Sequence, residues 1–326
     1  MPANLTPQYF EAEKRYRAAK EVDDKIAALQ EMLAVMPRHK GTDKLHASLR
    51  AKIAKLSQES ERKLATARRA GFLIRREGAG QIILVGPANS GKSQLLAMLT
   101  AASPDVAMYP YTTQAPLPGM MPFEDVQIQL VDTPPIGHRN VKSLITNVLR
   151  VADLIAIVID LSNNPVADVE STLVELEECR VVPAGVPTDR AGEGIHVQRM
   201  VILANKCELP GASRNLPELE KRFGHYFPII PVSAEELIGI EELPGQLFAA
   251  LEIIRVYTKA PGQKADMNEP VILSKDSTVG DAAAELHKDF KQGLKHAVVW
   301  GSGKFDAQTV SKIHVLADRD IVEFHM

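Results

Sequence analysis

From residue 81 onward, short apolar runs alternate with amphipathic stretches of helical length. The runs cover 81–85, 126–131, 154–160, 200–204 and 229–232. Their apolarity is continuous rather than alternating, the pattern of strands covered on both faces, as in a parallel sheet wrapped by helices. Residues 8–68 read differently, being rich in the good helix formers Ala, Glu, Lys, Arg, Leu and Gln. Ile26, Leu29 and Leu33, and then Leu45, Leu49, Ile53 and Leu56, recur at three- and four-residue spacing. Pro37 and Gly41 fall between the two stripes, and Thr42 is placed to cap the second. The pattern predicts an antiparallel helical hairpin. A third pattern begins near residue 252, with short strands at 255–258 and 270–273 and a helix over VGDAAAELHKDF capped by Thr278 and Asp281. Strands at 296–300 and at IVEF follow, the last after the turn at 317–320, which suggests a small β-grasp-like α+β domain. Residues 181–199 form a Pro/Gly-rich loop. The expected division is 1–76 for the basic hairpin, 77–251 for the α/β domain and 252–326 for the C-terminal domain.

Composition narrows the class. The chain has 326 residues, 45% apolar and 24% charged, which excludes a wholly disordered or collagen-like protein. No stretch approaches the ~20 apolar residues of a membrane-spanning helix, and the N-terminus lacks the apolar core of a secretory signal. Cys179 and Cys207 are too few for a disulfide scaffold, and reduced thiols in a cytoplasmic protein with no membrane association are expected. Nine histidines without ligand spacing argue against zinc. Charge is uneven: residues 1–76 hold 17 Lys and Arg against 9 Asp and Glu, and the remainder 21 against 32. A basic arm of this kind suits a polyanion, with a protein partner as the competing occupant. Lys288, Lys291 and Lys295 recur at helical spacing, as a solvated helix face does, with phosphate contact as the other reading.

The chemistry concentrates in Gly86-Pro-Ala-Asn-Ser-Gly91-Lys92-Ser93, between the run IILV and the helical stretch SQLLAMLT. This is GxxxxGK[ST] in a strand–loop–helix context. Backbone N–H groups, including those of Asn89 and Ser90, and a helix N-terminus would face phosphates. Lys92 would supply a point charge to the β- and γ-oxygens and to the charge of the transition state, and Ser93 a hydroxyl for Mg²⁺. Forty residues on, VQIQLV delivers Asp132, the partner carboxylate for Mg²⁺. Two further runs end in Asn205-Lys206-Cys207-Glu208 and in Ser233-Ala234. These are similar to the base-reading NKxD and SA boxes of GTPases. A carboxylate there accepts from guanine's ring N–H and amine, groups that adenine lacks. Glu208 stands where Asp is usual, which keeps the charge but adds a methylene.

With these boxes in order, the chain resembles the Obg/DRG branch of translation-factor-type GTPases, closest to the DRG (developmentally regulated GTP-binding) group. YPYTT at 109–113 resembles that branch's switch I, MPRHKGTDKLHASLRAKIAKL its N-terminal helical region, and the C-terminal part from IIRVYTKAPGQ to IHVLADRDIVEF a TGS domain. The resemblance implies an α/β P-loop G domain with an N-terminal helical hairpin and a C-terminal β-grasp TGS domain. It implies GTP and GDP with Mg²⁺, Thr113 (or the adjacent Thr112) as a switch threonine reaching Mg²⁺, and K⁺ beside Asn89. It also implies action with ribosomes, rRNA or tRNA, and a protein activator. Ile136 fits the branch, where an apolar residue replaces the catalytic glutamine and intrinsic hydrolysis is slow. Pro135 does not fit, because the usual glycine donates an N–H to the γ-phosphate and proline has none. Two other readings follow: a nucleotide-binding module with little hydrolysis, and an ATPase of similar architecture.

Overall fold

In the computed structural model the described residues are 15, 22–36, 49–50, 52, 74–100, 116–135, 139–186, 194–287, 290, 293–303 and 305–325. The chain divides into two compact units, Met1–Gly71 and Phe72–Met326. In the first, helix α1 (Val22–Val35) meets the first expected stripe, and Arg15 pairs with Glu31 at 3.1 Å. The buried positions are Ala28, Leu29, Met32 and Met36, so Leu29 is buried as expected, while Leu33 is only half-buried and Met32 is buried beside it. At 3.6 residues per turn Met32 and Leu33 flank the same stripe, and spacing alone does not choose between them. The second helix of the expected hairpin lies outside the described residues, apart from helical positions 49, 50 and 52.

The second unit is built on a six-stranded sheet. Its strands are β1 (Gln81–Val85), β2 (Leu117–Phe123), β3 (Val126–Asp132), β4 (Leu154–Asp160), β7 (Met200–Asn205) and β8 (Ile229–Pro231). Between β4 and β7 come β5 (Val181–Pro183) and β6 (His196–Gln198), which form a separate parallel pair, so the expected loop carries a small sheet of its own. The order is β2-β3-β1-β4-β7-β8, parallel except where β2 pairs antiparallel with β3. All five expected apolar runs are strands. The one strand of this sheet that was not expected, β2, reads LPGMMPF, and its two prolines are tolerated because it lies at the sheet edge.

Both faces of the sheet are covered, as continuous apolarity requires. On one side Ile83, Ile155, Ile157 and Ile202 pack with residues of helices at Arg139–Val151, Pro165–Glu178 and Ala212–Phe223, including Leu149, Leu176 and Leu219. On the other, Ile82, Leu84, Val158 and Leu203 meet Leu95 and Leu99 of helix Lys92–Leu99 and Leu247 and Leu251 of helix Leu243–Leu251. Each such fully buried side chain contributes roughly 1.5–3 kcal/mol.

The C-terminal part is a five-stranded sheet in the order β10-β9-β13-β11-β12, formed by β9 (Ile253–Lys259), β10 (Asp266–Ser274), β11 (His296–Trp300), β12 (Gln308–Val310) and β13 (Asp320–His325). β9 and β13 are parallel, and helix Val279–Leu286 packs Val279, Ala282 and Ala283 against Val256, Val299 and Val322. The expected capping box is present: Asp281 N donates to Thr278 Oγ1, and Thr278 N to Asp281 Oδ2. The helix ends at Leu286, four residues short of the expected stretch, with His287 in an extended conformation. Of the lysine row, only Lys295 is among the described residues. Thr278→Ala, which removes one half of the box, is expected to lower stability by about 1 kcal/mol. The midpoint of urea unfolding measures it.

Candidate functional site

β1 lies near the middle of the sheet and delivers the loop 86–91 at its carboxyl end, opening directly into helix Lys92–Leu99. Two glycines shape that loop. Gly86 has φ +138°, and a Cβ there would lie 2.1 Å from the carbonyl oxygen of Val158 in β4. Gly91 has φ +97°, and a Cβ would lie 2.1 Å from Nδ2 of Asn205. Asn89 also adopts positive φ, at 62°, tolerable for asparagine. The turn is therefore a backbone cradle that side chains would fill. The first N–H groups of the helix have no side-chain cap, so they remain donors for an anion.

Lys92 is 6% exposed, and its Nζ donates to the carbonyls of Gly86 at 2.9 Å and Pro87 at 2.7 Å. Burial lowers its pKa, and the nearby Asp132 partly opposes this. Ser93 Oγ donates to Asp132 Oδ2 at 2.5 Å. Asp132 ends β3, beside β1, and desolvation pushes its carboxyl above the ordinary range despite Ser93 and Lys92. Its Oδ1 is shielded from water and has no hydrogen-bond partner among the described residues. Such an orphaned acceptor is costly unless something fills the gap. A hydroxyl and a carboxylate in contact, one oxygen unsatisfied, form a hard-oxygen donor set that suits Mg²⁺. Neighbouring Thr133 is tied down, its Oγ1 donating to Leu84 O at 2.7 Å.

Asn205 joins the other boxes to this loop. It is 1% exposed, its Nδ2 donates to Ser90 O at 2.9 Å and its Oδ1 accepts from Ala234 N at 3.1 Å. Ser233 is buried, and its Oγ accepts from Glu236 N at 2.9 Å, shaping the turn after β8. Glu208 Oε2 is shielded and partnerless among the described residues, a second orphaned acceptor. Thus Gly86, Asn89, Ser90, Gly91, Lys92, Ser93, Asp132, Asn205, Ser233 and Ala234 lie at the carboxyl ends of four strands, β1, β3, β7 and β8, and Lys206 and Glu208 on the segment that continues from Asn205. Thr113 and Ile136 lie outside the described residues, as does the rest of the expected switch I.

Two features escaped the motif reading. Lys206 Nζ binds Asp160 Oδ2 at 2.7 Å, while Asp160 Oδ1 accepts from the N and Oγ of Ser162. Burial pulls the Asp160 pKa up, but these hydrogen bonds outweigh it and hold the carboxyl below its usual range. The run ending LIAIVID already placed an acid at the same end of a strand as Asp132. Gln94 Nε2 also donates to Glu235 Oε2 at 2.9 Å, which links the helix after the cradle to the turn after β8.

A parallel sheet carrying a glycine-bounded phosphate loop, a strand-end carboxylate and an asparagine bridge defines a P-loop nucleotide-binding domain. Residues 81–187 match the family described as 50S ribosome-binding GTPase, and residues 254–326 match the TGS domain. The chain thus joins a segment that matches a GTPase family to one that matches a TGS domain, and it is similar over most of its length to GTP-binding proteins, several of them named developmentally regulated. It is 28% identical to an uncharacterized GTP-binding protein of Methanocaldococcus jannaschii, with 92% of each chain covered. It is also 28% identical to developmentally-regulated G-protein 3 of Arabidopsis thaliana (92% of this chain, 97% of the other). To ribosome-interacting GTPase 1 of Saccharomyces cerevisiae it is 26% identical (92% and 97%). A GTP binding protein from Pyrococcus horikoshii shares the fold, with a TM-score of 0.52, 16% identity, and 75% of this chain and 99% of that one covered.

The raised pKa of Asp132 fixes a sign. The folded state holds a proton that the unfolded state releases at a lower pH. Stability contributed by Asp132 therefore falls as pH rises from the ordinary carboxylate range through the raised value, and stays low above it. Without divalent ions at neutral pH, Asp132→Asn is expected to be at least as stable as the wild type. Asn205→Ala, which strands Ser90 O and Ala234 N, should lose about 1–3 kcal/mol. Urea titrations of both variants give the comparison.

Proposed function

We propose that this chain is a guanine-nucleotide-binding protein that hydrolyses GTP slowly with Mg²⁺, acts with ribosomes or RNA, and works in the cytoplasm. The observation that carries the reading is the Asn205 bridge. One buried carboxamide holds the phosphate loop at Ser90 and the base-reading turn at Ala234, so one ligand with a polyphosphate at one end and a base at the other spans both. In this reading, residues 1–76, 77–251 and 252–326 are a basic helical arm, the G domain and the TGS domain.

The amides of 86–91 and the start of the helix would receive the phosphates, and Lys92 would leave its loop carbonyls for the phosphate oxygens. Ser93, Asp132 and Thr113 would hold Mg²⁺, which when bound neutralises phosphate charge. Glu208 Oε2, lacking a donor of its own, suits the N–H groups of guanine, and Lys206, held by Asp160, would lie along the nucleotide beside it. Backbone amides at Ser233 and Ala234 would face the guanine carbonyl. A carboxylate rejects adenine because it would be left unpaired. Asn89 would hold K⁺ next to the phosphates, and Ile136 offers no group to orient water. The ribosomal role rests on the name of the yeast relative, on the TGS domain and on the basic arm. A protein activator would supply what Ile136 lacks.

Calorimetry with GDP, GTP and ADP in Mg²⁺ tests the reading. Guanine nucleotides should bind more tightly than ADP, and Glu208→Ala should erase the difference. Equal affinity for ADP and GDP would favour the ATPase reading instead.

Pro135 sharpens a second expectation. A hydrogen bond to a charged group contributes about 1.5–3 kcal/mol, roughly 10- to 150-fold in affinity. Pro135→Gly should therefore raise the preference for a GTP analogue over GDP by at least about tenfold, read by competition against a fluorescent nucleotide. An unchanged preference would remove Pro135 as the reason for weak γ-phosphate sensing.

A further inference from the structure

The turn between β2 and β3 does more than reverse the chain. Glu124, in the left-handed region at φ 51°, and Asp125 form its tip, and both carboxylates reach the C-terminal sheet. There Arg255 of β9, whose side chain is 3% exposed, donates to Glu124 and Asp125 at 2.5 Å each. It also grips Asp318 of the turn before β13 through Nε at 3.1 Å and Nη2 at 2.6 Å. Its guanidinium lies over the rings of Phe248, at 4.8 Å, and Phe123, at 5.6 Å. Tyr257 hydrogen-bonds Asp125, and Arg319 pairs with Glu124. Three carboxylates meet two guanidinium groups here, and the turn contributes two of the three.

The hairpin's other end is the candidate nucleotide site. β3 runs seven residues from Val126 beside the clamp to Asp132 beside Ser93, about 20 Å at ~3.3 Å per residue. It pairs with β1 over Gln129 to Asp132. Beyond that it is held by β2, by the Gly78–Ile128 bridge and by Ala79 N donating to Gln127 O. One strand thus has the Asp132 carboxylate at one end and, at the other, a charge cluster built around the buried Arg255 of the C-terminal sheet.

We propose that the β2–β3 hairpin is a lever linking occupancy of the cradle to docking of the C-terminal sheet, with Arg255 acting as a positioning residue for Asp132. This rests on the nucleotide-binding reading above. Coupling is reciprocal: if docking favours the placement of Asp132 that a metal–nucleotide complex needs, then that complex strengthens docking. The clamp resists partial disruption, because a buried guanidinium cannot shed its partners cheaply.

The test uses the full chain and the double variant Glu124→Ala with Asp125→Ala, which frees the hairpin while Arg255 keeps Asp318. GDP affinity is measured with Mg²⁺ and with EDTA, alongside amide exchange at 253–259 with and without GDP and Mg²⁺. In the wild type, GDP with Mg²⁺ should slow exchange at 253–259, and the variant should lose that response. The gain in GDP affinity that Mg²⁺ confers should fall at least about fivefold in the variant. A purely structural role would lower affinity equally in Mg²⁺ and EDTA, and that result overturns the proposal. So does a wild type that binds GDP with no change in exchange at 253–259. A wild type that binds no GDP fails the underlying reading and the lever with it, and the wild-type titration alone reveals that case.

Discussion

A single buried carboxamide organises the central domain. Asn205 lies at the end of β7, with no solvent to satisfy it, and must find both a donor and an acceptor in the protein. It finds them in the loop after β1 and the turn after β8, so loops from three strands become one surface. That contact needs glycine at 91, since a Cβ there would occupy the place of Asn205 Nδ2. The loop itself needs glycine at 86 to pass Val158. Sterics and hydrogen-bond satisfaction thus converge on one geometry, which leaves an acceptor on Asp132 and one on Glu208 without a partner among the described residues.

The C-terminal sheet depends on a different kind of bond. Arg255 is enclosed by Phe123, Phe248 and three carboxylates, an environment that keeps its guanidinium charged. Burial, and then the Asp125 carboxylate it bonds, push the Tyr257 hydroxyl up to about 12 against the opposing charges of Arg255 and Arg319. Burial raises the pKa values of Asp125 and Asp318, but hydrogen bonds from Tyr257 and Arg255 outweigh it and hold both below the ordinary range. Glu124 is lowered chiefly by its hydrogen bonds from Arg319 and Arg255. Stability tied to these carboxylates is present above their unfolded pKa values and is lost as pH falls through the folded ones.

Much of the fold was legible along the chain because burial on both faces leaves an unbroken apolar run. The five runs from 81 to 232 are all strands of the main sheet, and the cap at Thr278 is a local hydrogen-bond pattern with a sequence rule. β2 was not legible, since its proline- and glycine-containing sequence resembles a loop until an edge position makes missing N–H groups harmless. In α1 Leu29 is buried as its spacing implies, but Met32 rather than Leu33 is the buried residue a turn on, because neighbouring positions on a helix share a stripe.

The candidate site divides along the same line. Sequence alone determined the phosphate loop, the strand-end Asp132 and the asparagine box, because each is a short contiguous motif whose glycines and charges act on their own backbone. Only the tertiary structure decided that Lys206 is held by Asp160, that Gln94 meets Glu235, and that Glu124 and Asp125 close around Arg255. Those partners lie 46, 141 and about 130 residues apart. An isolated acid or base on a strand end carries no record of the charge it will face. That choice is made when the sheet order brings distant ends together and burial makes an unpaired charge too costly to keep.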